Sequence, residues 1–154
     1  MALKKGDLVP KFKLKTKEGE WFESEEVAGK KPIVIYFYPK NFTPGCTKEA
    51  CSFRDNYEDF KKHGAEVIAI SSDSVASHSR FAEKHNLPFL FLADEKGEVR
   101  KQFGVKSELF GLLPGRETFV FDTTGKLILR YNSLKATPHI KKALRAIKEL
   151  THEN

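Results

Sequence analysis

Cysteine is scarce: the 154 residues hold two, at positions 46 and 51. So thin a supply cannot staple a fold, so the core must come from packing, and a reducing compartment suits such a chain. Seven prolines and ten glycines are ordinary numbers, which excludes collagen-like and proline-rich architectures. No long apolar run exists. The most apolar stretch, Ile33 to Tyr38, is strand length, far short of the ~20 residues of a membrane helix. The opening Met1-Ala-Leu-Lys-Lys-Gly6 has no apolar stretch behind its lysines, so it does not read as a secretory signal. It also lacks the composition of a transit peptide, although a chain already relieved of one would look the same.

What is present suits one domain: 40% hydrophobic and 31% charged residues over this length. Lys and Arg outnumber Asp and Glu by 27 to 21, a net charge of +6. The basic residues fall in Lys4 to Lys17, Lys61 and Lys62, and Lys141 to Lys148, with acidic residues interleaved through the middle of the chain. That is a solvated basic surface favouring acidic partner proteins. No recognition motif accompanies it, so neither nucleic acid nor a membrane is expected as a partner.

Strand and helix patterns alternate. Lys11 to Lys15 should be a short edge strand and Trp21-Phe22 the start of a second. Ile33 to Tyr38 is continuously apolar, as expected of a central strand covered on both faces, and Pro39 stops it. After a loop to Gly45, the spacing of Ala50, Phe53, Tyr57 and Phe60 predicts one helix from Thr47 to His63, with Gly64 beyond its end. Strand Glu66 to Ser71 follows, then a helix from Asp73 or Ser74 to Asn86, strand Pro88 to Leu92, and a short helix Val99 to Phe103. Thr118 to Phe121 and Leu127 to Tyr131 read as a hairpin, and Pro138 opens an amphipathic helix to Leu150. The order implies an α/β chain of thioredoxin-like type, a mixed central sheet with helices on both faces.

In such sheets reactive groups gather at the carboxyl ends of central strands. Strand Ile33 to Tyr38 leads to Pro39-Lys-Asn-Phe-Thr43-Pro-Gly-Cys46, which places Cys46 where a loop enters a helix. Unpaired N–H groups and the positive end of the helix dipole converge there, an environment favouring the nucleophilic thiolate. Thr43 can reach back toward it with a hydroxyl that donates and accepts, and Pro39 can shield the sulfur without adding a donor. Cys51 is five residues on, which in an intact helix puts the Cα atoms roughly 8–9 Å apart on divergent faces. Disulfides need less than about 7 Å, so if the two pair, the first helical turns must unwind, and Gly45 eases that change. No second cysteine pair or histidine cluster follows, so a structural zinc site is not expected.

The segment Tyr36-Phe-Tyr-Pro-Lys-Asn-Phe-Thr-Pro-Gly-Cys46-Thr-Lys-Glu-Ala-Cys51-Ser-Phe-Arg-Asp55 resembles the active-site signature of peroxiredoxins. It is most similar to the Q type, also called the bacterioferritin comigratory protein group. Ser71-Ser-Asp-Ser, His78, Phe81, Leu87-Pro-Phe89 and Leu113-Pro-Gly-Arg116-Glu-Thr-Phe-Val agree, so the resemblance spans residues 5 to 150. It implies that Cys46 is the peroxidatic cysteine, oxidised to a sulfenic acid, and Cys51 the resolving cysteine that condenses with it. It further implies that Thr43 orients the peroxide, Pro39 shields the pocket, and Arg116 holds the thiolate and polarises the peroxide oxygens. The fixed, permanently charged fork of an arginine suits that last role.

The function so implied is reduction of hydrogen peroxide and alkyl hydroperoxides with no cofactor, thioredoxin restoring the dithiol. A resolving cysteine in the same chain removes the need for a second subunit, so a monomer is expected. A thiol–disulfide oxidoreductase on the same fold is a second reading, against which the spacing stands, since that class uses C-x2-C. A redox sensor or holdase is a third, and turnover with thioredoxin separates it from an enzyme. Reduced thiols suggest the cytoplasm; the Leu113 to Arg116 segment and Tyr131-Asn132 resemble plastid and cyanobacterial members, which leaves a processed plastid chain as the alternative. Glu49 reads equally as a network member or an exposed carboxylate, and Arg54 as a partner of the site or of Asp55 and Glu58. Asn41 is neutral where the family often has an acid, which raises the local potential slightly. The five histidines read as surface or packing residues, and Tyr36, Tyr38 and Phe42 as the lining of an apolar pocket suited to alkyl hydroperoxides.

Overall fold

The computed structural model describes residues 3–105, 107–108, 113–133 and 135–152. Along the chain come β1 (Lys13–Thr16), β2 (Trp21–Glu23), β3 (Ile33–Phe37), α1 (Pro44–Asp55), α2 (Tyr57–Lys62), β4 (Glu66–Ser71) and α3 (Val75–His85). Then follow β5 (Leu90–Ala93), α4 (Glu98–Phe103), β6 (Ser107–Glu108), β7 (Leu113–Pro114), β8 (Glu117–Phe121), β9 (Leu127–Asn132) and α5 (Thr137–His152). Seven strands form one sheet in the order β2-β1-β5-β4-β3-β8-β9. β3, β4 and β5 are parallel, and the pairs β1–β2 and β8–β9 extend the sheet antiparallel on either side.

The period of two along β3 explains the layering. Val34 and Tyr36 enter a core with Phe53, Phe60, Phe81, Ile140 and Ile147, so α1, α2, α3 and α5 cover that face. Ile33, Ile35 and Phe37 enter a second core with Phe12, Phe22, Val99 and Phe103, covered by α4 and the N-terminal segments. Phe103 meets Phe12 at 5.8 Å, Phe37 at 5.0 Å and Phe119 at 5.2 Å between ring centroids.

Two expectations change. β1 is not an edge strand, because β2 pairs outside it while β5 takes its other side. The helix expected from Thr47 to His63 is two helices broken at Asn56, whose side-chain amide donates to the Ser52 carbonyl at 2.8 Å. An Asn that bonds its own backbone competes with helix propagation, which periodicity alone does not register. The short β6–β7 ladder was not foreseen from the sequence; it lies outside the main sheet.

Candidate active site

Cys46 is the third residue of α1, after the N-cap Thr43 and Pro44 at the first helical position. Thr43 is extended (φ −86°, ψ 151°) and makes no side-chain cap. Its hydroxyl donates instead to the Lys40 carbonyl at 2.8 Å, so it turns to its own loop and not back toward Cys46 as expected. The first-turn amides therefore receive no acceptor from the cap, and their partial positive charge remains beside the thiol.

Cys46 is buried, with 2% of its surface exposed. Arg116 closes over it, Nη2 donating to the sulfur at 3.4 Å while Nη1 donates to Glu49 Oε1. Register brings this arginine there. β8 pairs antiparallel with β3, Glu117 opposite Phe37, so one further step sets Arg116 opposite Tyr38. Gly45 admits it: a Cβ there would stand 3.1 Å from Arg116 Nη2.

Glu49 is fully buried one turn along α1. Burial pushes its carboxyl up to about 8, against the pull of Arg116 in the other direction. Removing a carboxylate from water disfavours its charged form, and here that penalty exceeds the attraction of the one guanidinium beside it. For Arg116 itself burial opposes the charge, but Glu49 and Cys46 outweigh it and hold the group above its ordinary value. Among the described residues, neither Glu49 Oε2 nor the buried Tyr36 hydroxyl has a hydrogen-bond partner. His139 Nδ1, from α5, lies 3.9 Å from that carboxyl oxygen. His139 Nε2 stands 2.7 Å from the Ser133 carbonyl and Nδ1 2.7 Å from the Thr118 hydroxyl. A carbonyl only accepts, so the proton belongs on Nε2 and Nδ1 accepts from Thr118. Burial lowers this histidine to about 4, keeping it neutral.

Residues 5–130 match the AhpC/TSA family. Peroxiredoxin Q of Sedum lineare, a chloroplastic protein, is 52% identical over 147 residues, covering 95% of this chain and 78% of the relative. The crystal structure of peroxidoxin BcpB from Mycobacterium tuberculosis superposes with a TM-score of 0.87 at 38% identity, covering 96% of this chain and 98% of that one. The bacterioferritin comigratory protein of Xanthomonas campestris, studied for alkyl peroxide reduction, gives 0.82 at 30% identity over 93% and 92%. The chain belongs to the peroxiredoxin Q group. Its fold is thioredoxin-like, and it is a thiol peroxidase.

Within this peroxiredoxin, Cys46 and Arg116 stand together, Thr43 and the partly exposed Pro39 lie in the loop leading to them, and Cys51 is half-buried further along α1. Both cysteines are free thiols. Arg54 is not part of the cluster; it bonds Asp55 at 3.1 Å and the His85 carbonyl at 2.7 Å. Tyr36 and Tyr38 are core residues, each 1% exposed, and Phe42 is exposed and packs edge-on against Phe81, so the three do not line a common pocket.

Asn41 does more than alter the potential. It is buried, its amide donating to Ser77 Oγ at 3.1 Å and facing His78 Nδ1 at 3.0 Å. Its carbonyl oxygen accepts from Tyr38 at 2.5 Å, and its backbone N–H donates to Asp73 at 2.9 Å. The active-site loop is thereby tied to α3. Glu49, His78 and His139 are the buried polar residues that sequence reasoning left out of the site. For Glu49 a signal existed: it follows Cys46 by three, on the helix face that carries Ala50 and Phe53 inward.

Proposed function

We propose that Cys46, as thiolate, attacks the peroxide O–O bond. With one proton taken up, Cys46–S⁻ and ROOH give Cys46–SOH and ROH. Cys51–SH then condenses with the sulfenic acid, releasing water and leaving a Cys46–Cys51 disulfide, which a thioredoxin-like dithiol reduces. Arg116 holds the sulfur and polarises the peroxide oxygens; the Thr43 hydroxyl, whose proton goes to Lys40, keeps lone pairs for the peroxide O–H; Pro39 shields the site. Both hydrogen peroxide and alkyl hydroperoxides are substrates, the latter in keeping with the activity studied in the Xanthomonas relative. The observation that carries the reading is the Arg116 contact to a buried sulfur at a helix start. With both cysteines in one helix the protein works as a monomer. The chloroplastic relatives favour the plastid alternative over the cytoplasm.

The test is intact mass after one equivalent of hydrogen peroxide on reduced protein. A monomer lighter by two hydrogens, with Cys46 linked to Cys51 in the peptide map, is expected. An unchanged mass with both thiols free would refute the assignment of Cys46. A Cys51→Ser variant should complete one round and leave a trappable sulfenic acid; normal turnover with thioredoxin would refute the role of Cys51.

A further inference from the structure

The two chain segments that form the site leave the sheet at the point where its ladder stops. β3 pairs with β8 as far as Phe37 and Glu117. On the other side of β3 the parallel ladder runs one residue further, the Tyr38 N–H donating to the Ile70 carbonyl of β4 at 3.3 Å. Residues 38 and 115 lie beyond the last β3–β8 pair, on the two segments that lead to the site.

Arg100 of α4 joins the two segments. Its Nη2 donates to the Tyr38 carbonyl at 2.9 Å and its Nη1 to the Gly115 carbonyl at 3.1 Å. The guanidinium sits 5.8 Å from the Phe37 ring centroid, a cation–π arrangement that fixes its plane. The base of the side chain is fixed as well. Asp94, buried at the end of β5, accepts from the backbone N–H groups of Val99 at 3.1 Å and Arg100 at 2.9 Å. Residue 38 immediately precedes Pro39 and the loop to Thr43 and Cys46, and residue 115 immediately precedes Arg116.

We infer that Arg100 is a positioning residue for peroxide reduction: its fork sets the distance between the Cys46 loop and the Arg116 segment by bridging their two carbonyls. This rests on the reading of Cys46 as the attacking thiolate and Arg116 as its partner. The bridge requires two donors in a planar fork, so lysine, a single ammonium, cannot reproduce it. Burial lowers the Arg100 guanidinium from its ordinary value, and the nearby Asp94, Glu117 and Cys46 oppose that only in part.

The test uses the full chain, reduced, with Cys46 oxidation by hydrogen peroxide followed in a stopped-flow instrument. Arg100→Met keeps the packing on Phe37, and Arg100→Lys keeps the charge. Both should slow oxidation by about tenfold or more, the loss typical of small misplacements of reacting groups. Thermal midpoints and disulfide reduction by dithiothreitol should stay close to the parent. In an Arg116→Met background, Arg100→Met should cost little further rate, because the two act through one guanidinium. Parent-like oxidation in both single variants, full rescue by lysine, or additive losses in the double variant would each overturn the inference. Failure of the parent itself to be oxidised at Cys46 would instead remove the reading beneath it, and the inference with it.

Discussion

Replacing Glu49 by Gln keeps the shape of a buried side chain and removes its titration. In the unfolded chain the carboxyl titrates near 4.5; in the folded protein burial holds it at about 8. Below pH 4.5 it is protonated in both states. Above that, the unfolded chain releases a proton that the folded protein retains, so stability falls by about 1.4 kcal/mol for each pH unit as pH rises toward 8. From pH 5 to pH 7 the parent should therefore lose about 3 kcal/mol relative to the Glu49→Gln variant. His78 and His139 act in the opposite sense. Burial lowers both from 6.5 to about 4, so the stability they contribute is complete above pH 6.5 and is lost as pH falls toward 4. They are common to both proteins and cancel in the difference. In the parent alone, two histidines against one carboxyl place the stability maximum near pH 6.5. The assay is urea unfolding of both reduced proteins at pH 5, 6 and 7. A difference between the two proteins that does not change with pH, or that shifts in favour of the parent as pH rises, would refute the reasoning.

Gly45→Ala puts a Cβ 3.1 Å from Arg116 Nη2, so the guanidinium must yield by a few tenths of an ångström. Peroxide kcat/KM should drop about tenfold, or about 1.4 kcal/mol of transition-state stabilisation, with an almost unchanged thermal midpoint. Parent-like kcat/KM would mean the contact has no catalytic consequence. Asn41→Asp places a carboxylate against His78 Nδ1, now 3.0 Å from the Asn amide. His78 should then titrate about 1–3 units higher than the present value near 4. NMR titration of the ring protons reads this directly, and an unmoved His78 would contradict the pairing. Phe103→Ala removes a ring that meets Phe12, Phe37 and Phe119, and should cost about 3–5 kcal/mol in chemical denaturation.

The parts of the fold that were legible in the sequence were local. The continuous apolar run at Ile33 announces a strand buried on both faces, and the loop running into a helix expected from Thr47 puts Cys46 at a helix start, although α1 begins earlier, at Pro44. The break at Asn56 escaped because apolar spacing continues through it while a side-chain bond to Ser52 ends the helix. β1 reads as an edge because nothing in its own residues says which neighbours pair with it. In the site, Arg116 could not be brought to Cys46 by spacing, since β8 must first pair with β3 in one register; only the family resemblance pointed to it. Arg100 and His139 carry no local signal at all. Each acts from a separate helix on groups that tertiary packing delivers: two loop carbonyls in one case, Thr118 and Ser133 in the other.

Glu49 also lies between the two cysteines, and that position has a consequence for the proposed cycle. On an intact α1, residues 46 and 51 stand roughly 8–9 Å apart at Cα, beyond the reach of a disulfide. Any unwinding that joins them must carry Glu49 out of its buried contact with Arg116. A carboxyl held near 8 in the folded site returns toward 4.5 in water, so between those values unwinding releases a proton. The unwound population should then grow by up to tenfold per pH unit, because each unit is worth about 1.4 kcal/mol. Resolution of the sulfenic acid, followed by acid quench and mass spectrometry, should accelerate with pH more steeply in the parent than in the Glu49→Gln variant. Ionisation of Cys51 affects both alike, so the ratio of the two rates isolates Glu49. A ratio that stays constant from pH 5 to 7 would show that Glu49 keeps its proton, or its burial, while the disulfide forms.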